Sequence, residues 1–88
     1  MSQFRTTSRR GLEVIYGLDH AVGYFLTVFD EDEDGEEDVL ISLSTAGPFW
    51  NAHRTDIVDW LRENVDITPE ISRHIHRILM DLDPKEEE

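Results

Sequence analysis

Residues 22–44 constrain most strongly what this chain can fold into. Two apolar segments, 22–29 and 38–44, each alternate with a period of two. Between them, every residue from 30 to 38 is acidic except Gly35. A period of two sends successive side chains to opposite faces, as a strand requires and a helix does not. In the first segment Val22, Tyr24, Leu26 and Val28 form one row, and Gly23, Phe25, Thr27 and Phe29 form the other. Both rows are largely apolar, which predicts a central strand covered on both faces. In the second segment Val39, Ile41 and Leu43 alternate with Leu40 and Ser42. Asp34-Gly35 is a favoured turn pair because glycine tolerates positive φ. The two segments therefore read as a hairpin with the acidic run at its tip, and like charges facing one another there predict frayed ends.

The flanking sequence completes the outline. Leu12, Val14 and Tyr16 alternate with Glu13 and Ile15 and read as an earlier strand, closed by a turn around Leu18 and His20. Residues 45–48 read as a loop. A helix then starts near Phe49 or Thr55, with Trp50, Ile57, Trp60, Leu61 and Asn64 on one stripe. Thr68 is a good N-cap, and Pro69 suits the first helical position, where no amide donor is needed. Ile71, Ile75, Ile78, Leu79 and Leu82 follow as a second helical stripe, with an Arg77–Asp81 pair on its flank and Pro84 as its stop. Strands precede helices without βαβ alternation. The expected fold is α+β: an antiparallel three-stranded meander, four-stranded if the N-terminal arm joins as an edge strand, followed by two helices packed on one face. Residues 1–10, with Arg5, Arg9 and Arg10, read as a flexible basic arm, residues 11–83 as one domain with a modest core, and residues 84–88 as an acidic tail.

The net charge is −12, and eight of those negative charges lie between residues 30 and 38, leaving −4 for the other 79 residues. Such a chain repels nucleic acid and anionic membrane and attracts cations and basic protein surfaces. There is no cysteine, so thiolate chemistry and disulfides are excluded. The N-terminus lacks the apolar core of a secretory signal, and the longest nearly apolar stretch, residues 21–29, falls far short of the roughly 20 residues of a spanning helix. A cytoplasmic location is expected.

Three functional readings follow. The first is a protein-interaction module or inhibitor that binds a basic partner surface. Asp32, Glu33, Asp34, Glu36 and Glu37 would supply charge, and Phe49 and Trp50, beside Pro48, would supply apolar anchors. One sharp form is nucleic-acid mimicry, with the acids occupying a phosphate-binding groove. The same acids could meet Arg5, Arg9, Arg10, Arg73 and Arg77 of a second copy in a homodimer. The second reading is a divalent-cation module. Asp30, Asp32, Asp34 and Gly35 spell D-x-D-x-D-G, the opening of a calcium loop, but its twelfth position is Ile41 where a bidentate Glu belongs. The third is a small enzyme or enzyme subunit, for which no nucleophile motif and no catalytic residue can be assigned. Of His20, His53, His74 and His76, the last two lie two apart on a helix and face different ways, so surface or boundary positions are expected.

The stretch Tyr16-Gly17-Leu18-Asp19-His20-Ala21-Val22-Gly23-Tyr24-Phe25-Leu26-Thr27-Val28-Phe29-Asp30 resembles a group of short bacterial hypothetical proteins. In them a Y-G-x-D-H-x-x-G-Y-F-x-x-V-F-D segment leads to an acidic turn and a helical half. The resemblance implies a bacterial source and a fold unit, and assigns no function. The simplest role for Asp19 in that segment is an Asx hydrogen bond that holds the turn.

Overall fold

Four strands in chain order make one antiparallel sheet, and two helices pack on one of its faces. The computed structural model describes residues 2–31 and 35–85. The strands are β1 (Ser2–Thr7), β2 (Glu13–Asp19), β3 (Gly23–Glu31) and β4 (Glu37–Ser44), and the helices are α1 (Arg54–Asn64) and α2 (Pro69–Leu79). The sheet order is β1-β2-β3-β4, so β3 is internal and β1 and β4 are edges. The N-terminal arm therefore joins the sheet as an edge strand over residues 2–7, the four-stranded alternative, rather than remaining flexible. It pairs from Ser2↔Leu18 to Thr7↔Glu13. Arg9, just beyond it, donates to Asp66 Oδ1 at 3.0 Å and to the Glu63 carbonyl at 2.8 Å, tying the arm to the end of α1.

Each turn has a local chemical cause. Between β2 and β3, the Ala21 amide donates to Asp19 Oδ1 at 2.7 Å, the expected Asx bond. Gly23 closes that turn at φ +70°, a conformation that favours glycine. Between β3 and β4 the ladder continues to Asp30↔Asp38 and Glu31↔Glu37. Among the described residues the hairpin thus stays paired as far as Glu31 and Glu37, where fraying was expected. Opposed like charges cost only about 0.2–1 kcal/mol per pair, too little to undo an otherwise continuous ladder. The register slips once, from Val28↔Ile41 to Phe29↔Val39. Leu40 is thus an extra residue in β4, and the expected row Val39, Ile41, Leu43 is broken: Val39 stands on the opposite face from Ile41 and Leu43.

The core forms on one face only. Val14, Tyr16, Tyr24, Leu26 and Val28 from the sheet meet Ile57, Val58 and Leu61 of α1 and Ile71, Ile75 and Ile78 of α2, with Val65 between the helices. In α1 the His53 amide donates to the Asp56 carboxylate at 2.8 Å, which sets the helix start and leaves Trp50 in the preceding loop. In α2 the Thr68 hydroxyl accepts from the Ile71 amide at 3.1 Å, with Pro69 next in line, as expected. The α2 stripe is shorter than the spacing implied. The helix ends at Leu79 and Asp81 takes φ 60°, so Leu79 and Leu82 are exposed. Arg77 donates to the Asp83 carbonyl at 2.6 Å rather than reaching Asp81. Pro84 is fully buried and belongs to the domain, not to a tail.

The expectation that β3 is covered on both faces is corrected. Ile15, Phe25 and Phe29 lie outside the core cluster and outside the apolar side chains packed against it. They are half-buried by their own sheet neighbours, and both helices lie on the other side.

Candidate functional site

Among the described residues, the buried polar pair that joins the sheet to a helix is Tyr16–His74. The Tyr16 hydroxyl lies 2.6 Å from His74 Nδ1, and the imidazole stacks on Phe4 with ring centroids 3.9 Å apart. His74 Nε2 lies 3.9 Å from the Glu70 carboxylate one turn away. Burial pushes the Tyr16 phenol up to about 12, and the Glu70 charge adds to the shift. At neutral pH the phenol therefore keeps its proton, and the direction of its hydrogen bond with Nδ1 follows the imidazole tautomer. Surface or boundary histidine was expected, yet His74 is buried. Its two-residue spacing from His76 puts one of the pair inward and one outward, and the stripe Ile71, Ile75, Ile78 shows which: position 74 lies between them on the helix. Packed against Phe4, the pair is a strut between sheet and helix, and His74 also borders a surface hollow of about 210 Å³ with Glu70, Arg73 and Lys85. Tyr24 ties the sheet to the segment after α2, donating to the Leu82 carbonyl at 2.9 Å. Its phenol is also raised, first by burial and then by Asp81.

The exposed features are distributed along β4. Asp30, Glu36, Glu37 and Asp38 are exposed at the hairpin end. Asp32, Glu33 and Asp34 lie outside the described residues, and with them the expected calcium triad beyond Asp30. Among the described residues no group of three or more metal-ligating side chains comes together. Immediately after the acids, Val39 and Leu40 are 57% and 52% exposed; beyond the other end of β4, Phe49 and Trp50 are 83% and 61% exposed. Glu37 and Ser44, the two ends of β4, are roughly 23 Å apart at the rise of an antiparallel strand. The acids and the aromatic pair therefore form no single small footprint. They bracket an elongated one.

The free edge of β4 is poorly suited to pairing with another strand. Asn51 plugs its C-terminal half: Oδ1 accepts from the Ser44 amide at 2.9 Å, Nδ2 donates to the Ser42 carbonyl at 2.8 Å, and the Asn51 amide donates to the Ser44 carbonyl. The other half carries the extra residue Leu40 and the acids. Bulges and charges of this kind deter edge-to-edge association.

The open sheet face is the feature that sequence reasoning missed. The registers align Gln3, Gly17, Phe25 and Ser44 in one row, Arg5, Ile15, Thr27 and Ser42 in the next, and Thr7, Glu13, Phe29 and Val39 in the third. Ile15, Phe25 and Phe29 give it apolar surface around Thr27, with Arg5 and Glu13 paired across β1 and β2. A hollow of about 390 Å³ opens at the end away from the acids, lined by Gln3 and Phe25 together with Ser2, Phe4, Asp19 and Lys85. The apolar row of Phe25 and Phe29 carries the signal, but it points equally to a covering layer from the same chain, which the two helices do not supply.

Among the described residues no helix is long and apolar enough to cross a membrane. Comparisons with protein-family models, with curated proteins and with solved structures find no match.

Proposed function

We propose that this chain is a protein-interaction module that docks a basic surface of a partner protein, with the β3–β4 end supplying the electrostatic attraction. The observation that carries this reading is the coincidence of charge and apolar exposure. Val39 and Leu40 stand exposed directly beside Glu36, Glu37 and Asp38, while the opposite face of the sheet is sealed by helices. Charge brings partners together and sets register, and desolvated apolar side chains hold them. An inhibitor that fills a phosphate-binding groove is the sharpest form of the reading.

The test uses a partner recovered from the native host. Glu36→Gln, Glu37→Gln and Asp38→Asn together should weaken its binding about tenfold, mainly through slower association, and should flatten the salt dependence. Binding that is equally tight at high salt and in the neutralised variant would remove the acidic end from the interface.

A further inference from the structure

We infer that the open face of the sheet receives one amphipathic helix of the partner, its N-terminal, basic end lying over the acidic end of the hairpin. This rests on the reading above that the partner is basic, and it adds where and how that partner docks. The face presents Ile15, Phe25, Phe29 and Val39 around Thr27, apolar side chains that neither helix of this chain covers.

Size and charge select the occupant. Four strands at about 4.8 Å spacing span roughly 14 Å between the outer strands, and from the Gln3 row to the Glu37 row the face runs about 20 Å. A helix is about 10 Å across with its side chains, and about 13 residues cover 20 Å. One helix therefore fills the face and completes a helix–sheet–helix sandwich. A second copy fits badly. Each copy brings a net charge of −12, so two copies repel one another at the acidic end. An added strand at the β4 side is opposed by the blunted β4 edge.

Orientation follows from the charges at the two ends. Glu37 stands at the hairpin end with Glu36 and Asp38 beside it, whereas Glu13 is paired with Arg5 and the hollow at the other end holds both Lys85 and Asp19, so the negative charge of the face is concentrated at the hairpin end. A helix carries partial positive charge at its N-terminus and partial negative charge at its C-terminus. Its dipole matches the face when the N-terminus lies over the acids.

Three capped 14-residue peptides test the inference on isotope-labelled protein by amide shift titration. The first has an apolar stripe, lysines in its first two turns and glutamates in its last. The second has the same stripe with those charges exchanged end for end. The third keeps the composition of the first, lysines leading, with the stripe scrambled. The first should saturate with shifts at Ile15, Phe25, Thr27 and Phe29, and the second should bind at least tenfold more weakly. Thr27→Lys should weaken the first at least tenfold. Val39→Lys, at an exposed position that does not threaten folding, should act likewise. Equal binding of the first and third peptides, with shifts confined to residues 36–38, would overturn the docking site and leave the basic-partner reading standing. No shift with any peptide at low salt would overturn both. Equal binding of the first and second would overturn the orientation. A concentration-dependent dimer in sedimentation that Val39→Lys abolishes would assign the face to a second copy instead.

Discussion

Tyr16→Phe isolates the buried strut between sheet and helix. The substitution keeps the ring, which is 1% exposed, and removes only the hydroxyl that His74 Nδ1 meets at 2.6 Å. Taking one partner from a buried hydrogen bond costs about 1–3 kcal/mol. For a domain of this size that lowers the melting temperature by roughly 5–15 °C. The hydroxyl also has a pH signature. An ordinary tyrosine titrates near 10, and burial pushes this one up to about 12. Below pH 10 both folded and unfolded chains hold the proton, and the contribution is fully present. Between pH 10 and 12 the unfolded chain ionises first, so stability falls, and the contribution is lost as pH rises through 12. A shift of that size corresponds to about 2.7 kcal/mol of linkage, which solvent screening at the ring edge reduces to about 1–2 kcal/mol. The variant lacks this loss. Tyr24, also raised by burial, is common to both proteins and cancels in the difference. Urea unfolding followed by tryptophan fluorescence, from pH 7 to 11.5, should give a gap of about 1–3 kcal/mol at neutral pH that narrows steadily above pH 10. A gap below about 0.5 kcal/mol at pH 7, or one that stays constant through alkaline pH, would refute the assignment of the hydroxyl as a buried hydrogen-bond partner of His74.

Two further outcomes are expected on the sheet. Gly17→Ala would put a Cβ 2.2 Å from the Ser2 carbonyl oxygen and 3.1 Å from Gln3 Cα; since only backbone atoms are met, the start of β1 must move. Stability should drop by about 1–3 kcal/mol, with faster amide exchange at residues 2–4 as the check. Asp38→Asn removes one member of the Asp30↔Asp38 pair and should stabilise the hairpin by roughly 0.2–1 kcal/mol. In chemical denaturation that gain should shrink in 1 M salt; a gain that persists there would point away from charge repulsion.

Where local chemistry decides, the residues are legible. Thr68 and Pro69 announce α2, Asp19 announces the turn after β2, and the alternation on both sides of the acidic run announces the β3–β4 hairpin. Where partners distant in sequence decide, they are not. The N-terminal arm has the composition of a loose basic segment. It is ordered because β2 offers it an edge and because Arg9 finds Asp66 and the carbonyl groups closing α1. His74 looks like any polar residue on a helix until Tyr16, 58 positions away, supplies a hydrogen-bond partner. The extra residue in β4 is invisible to a strict period of two, because Leu40 is as apolar as its neighbours.

The apolar row of Phe25, Thr27 and Phe29 shows where periodicity stops being informative. An alternation that is apolar on both faces specifies only that both faces favour burial. It does not say which chain does the burying. Both helices, α1 and α2, are used on the face of Tyr16 and Leu26. The open face retains its apolar character beside a concentration of charge that would otherwise serve only solubility. Solubility alone would be served as well by a polar open face, with Ser or Lys where Phe25 and Phe29 stand. On the proposed reading, Phe29 beside the acids and Phe25 at the far end of the same row belong to a surface completed on binding. In that proposal the acidic hairpin is the electrostatic rim of the surface, with the apolar contact lying on the sheet beside it.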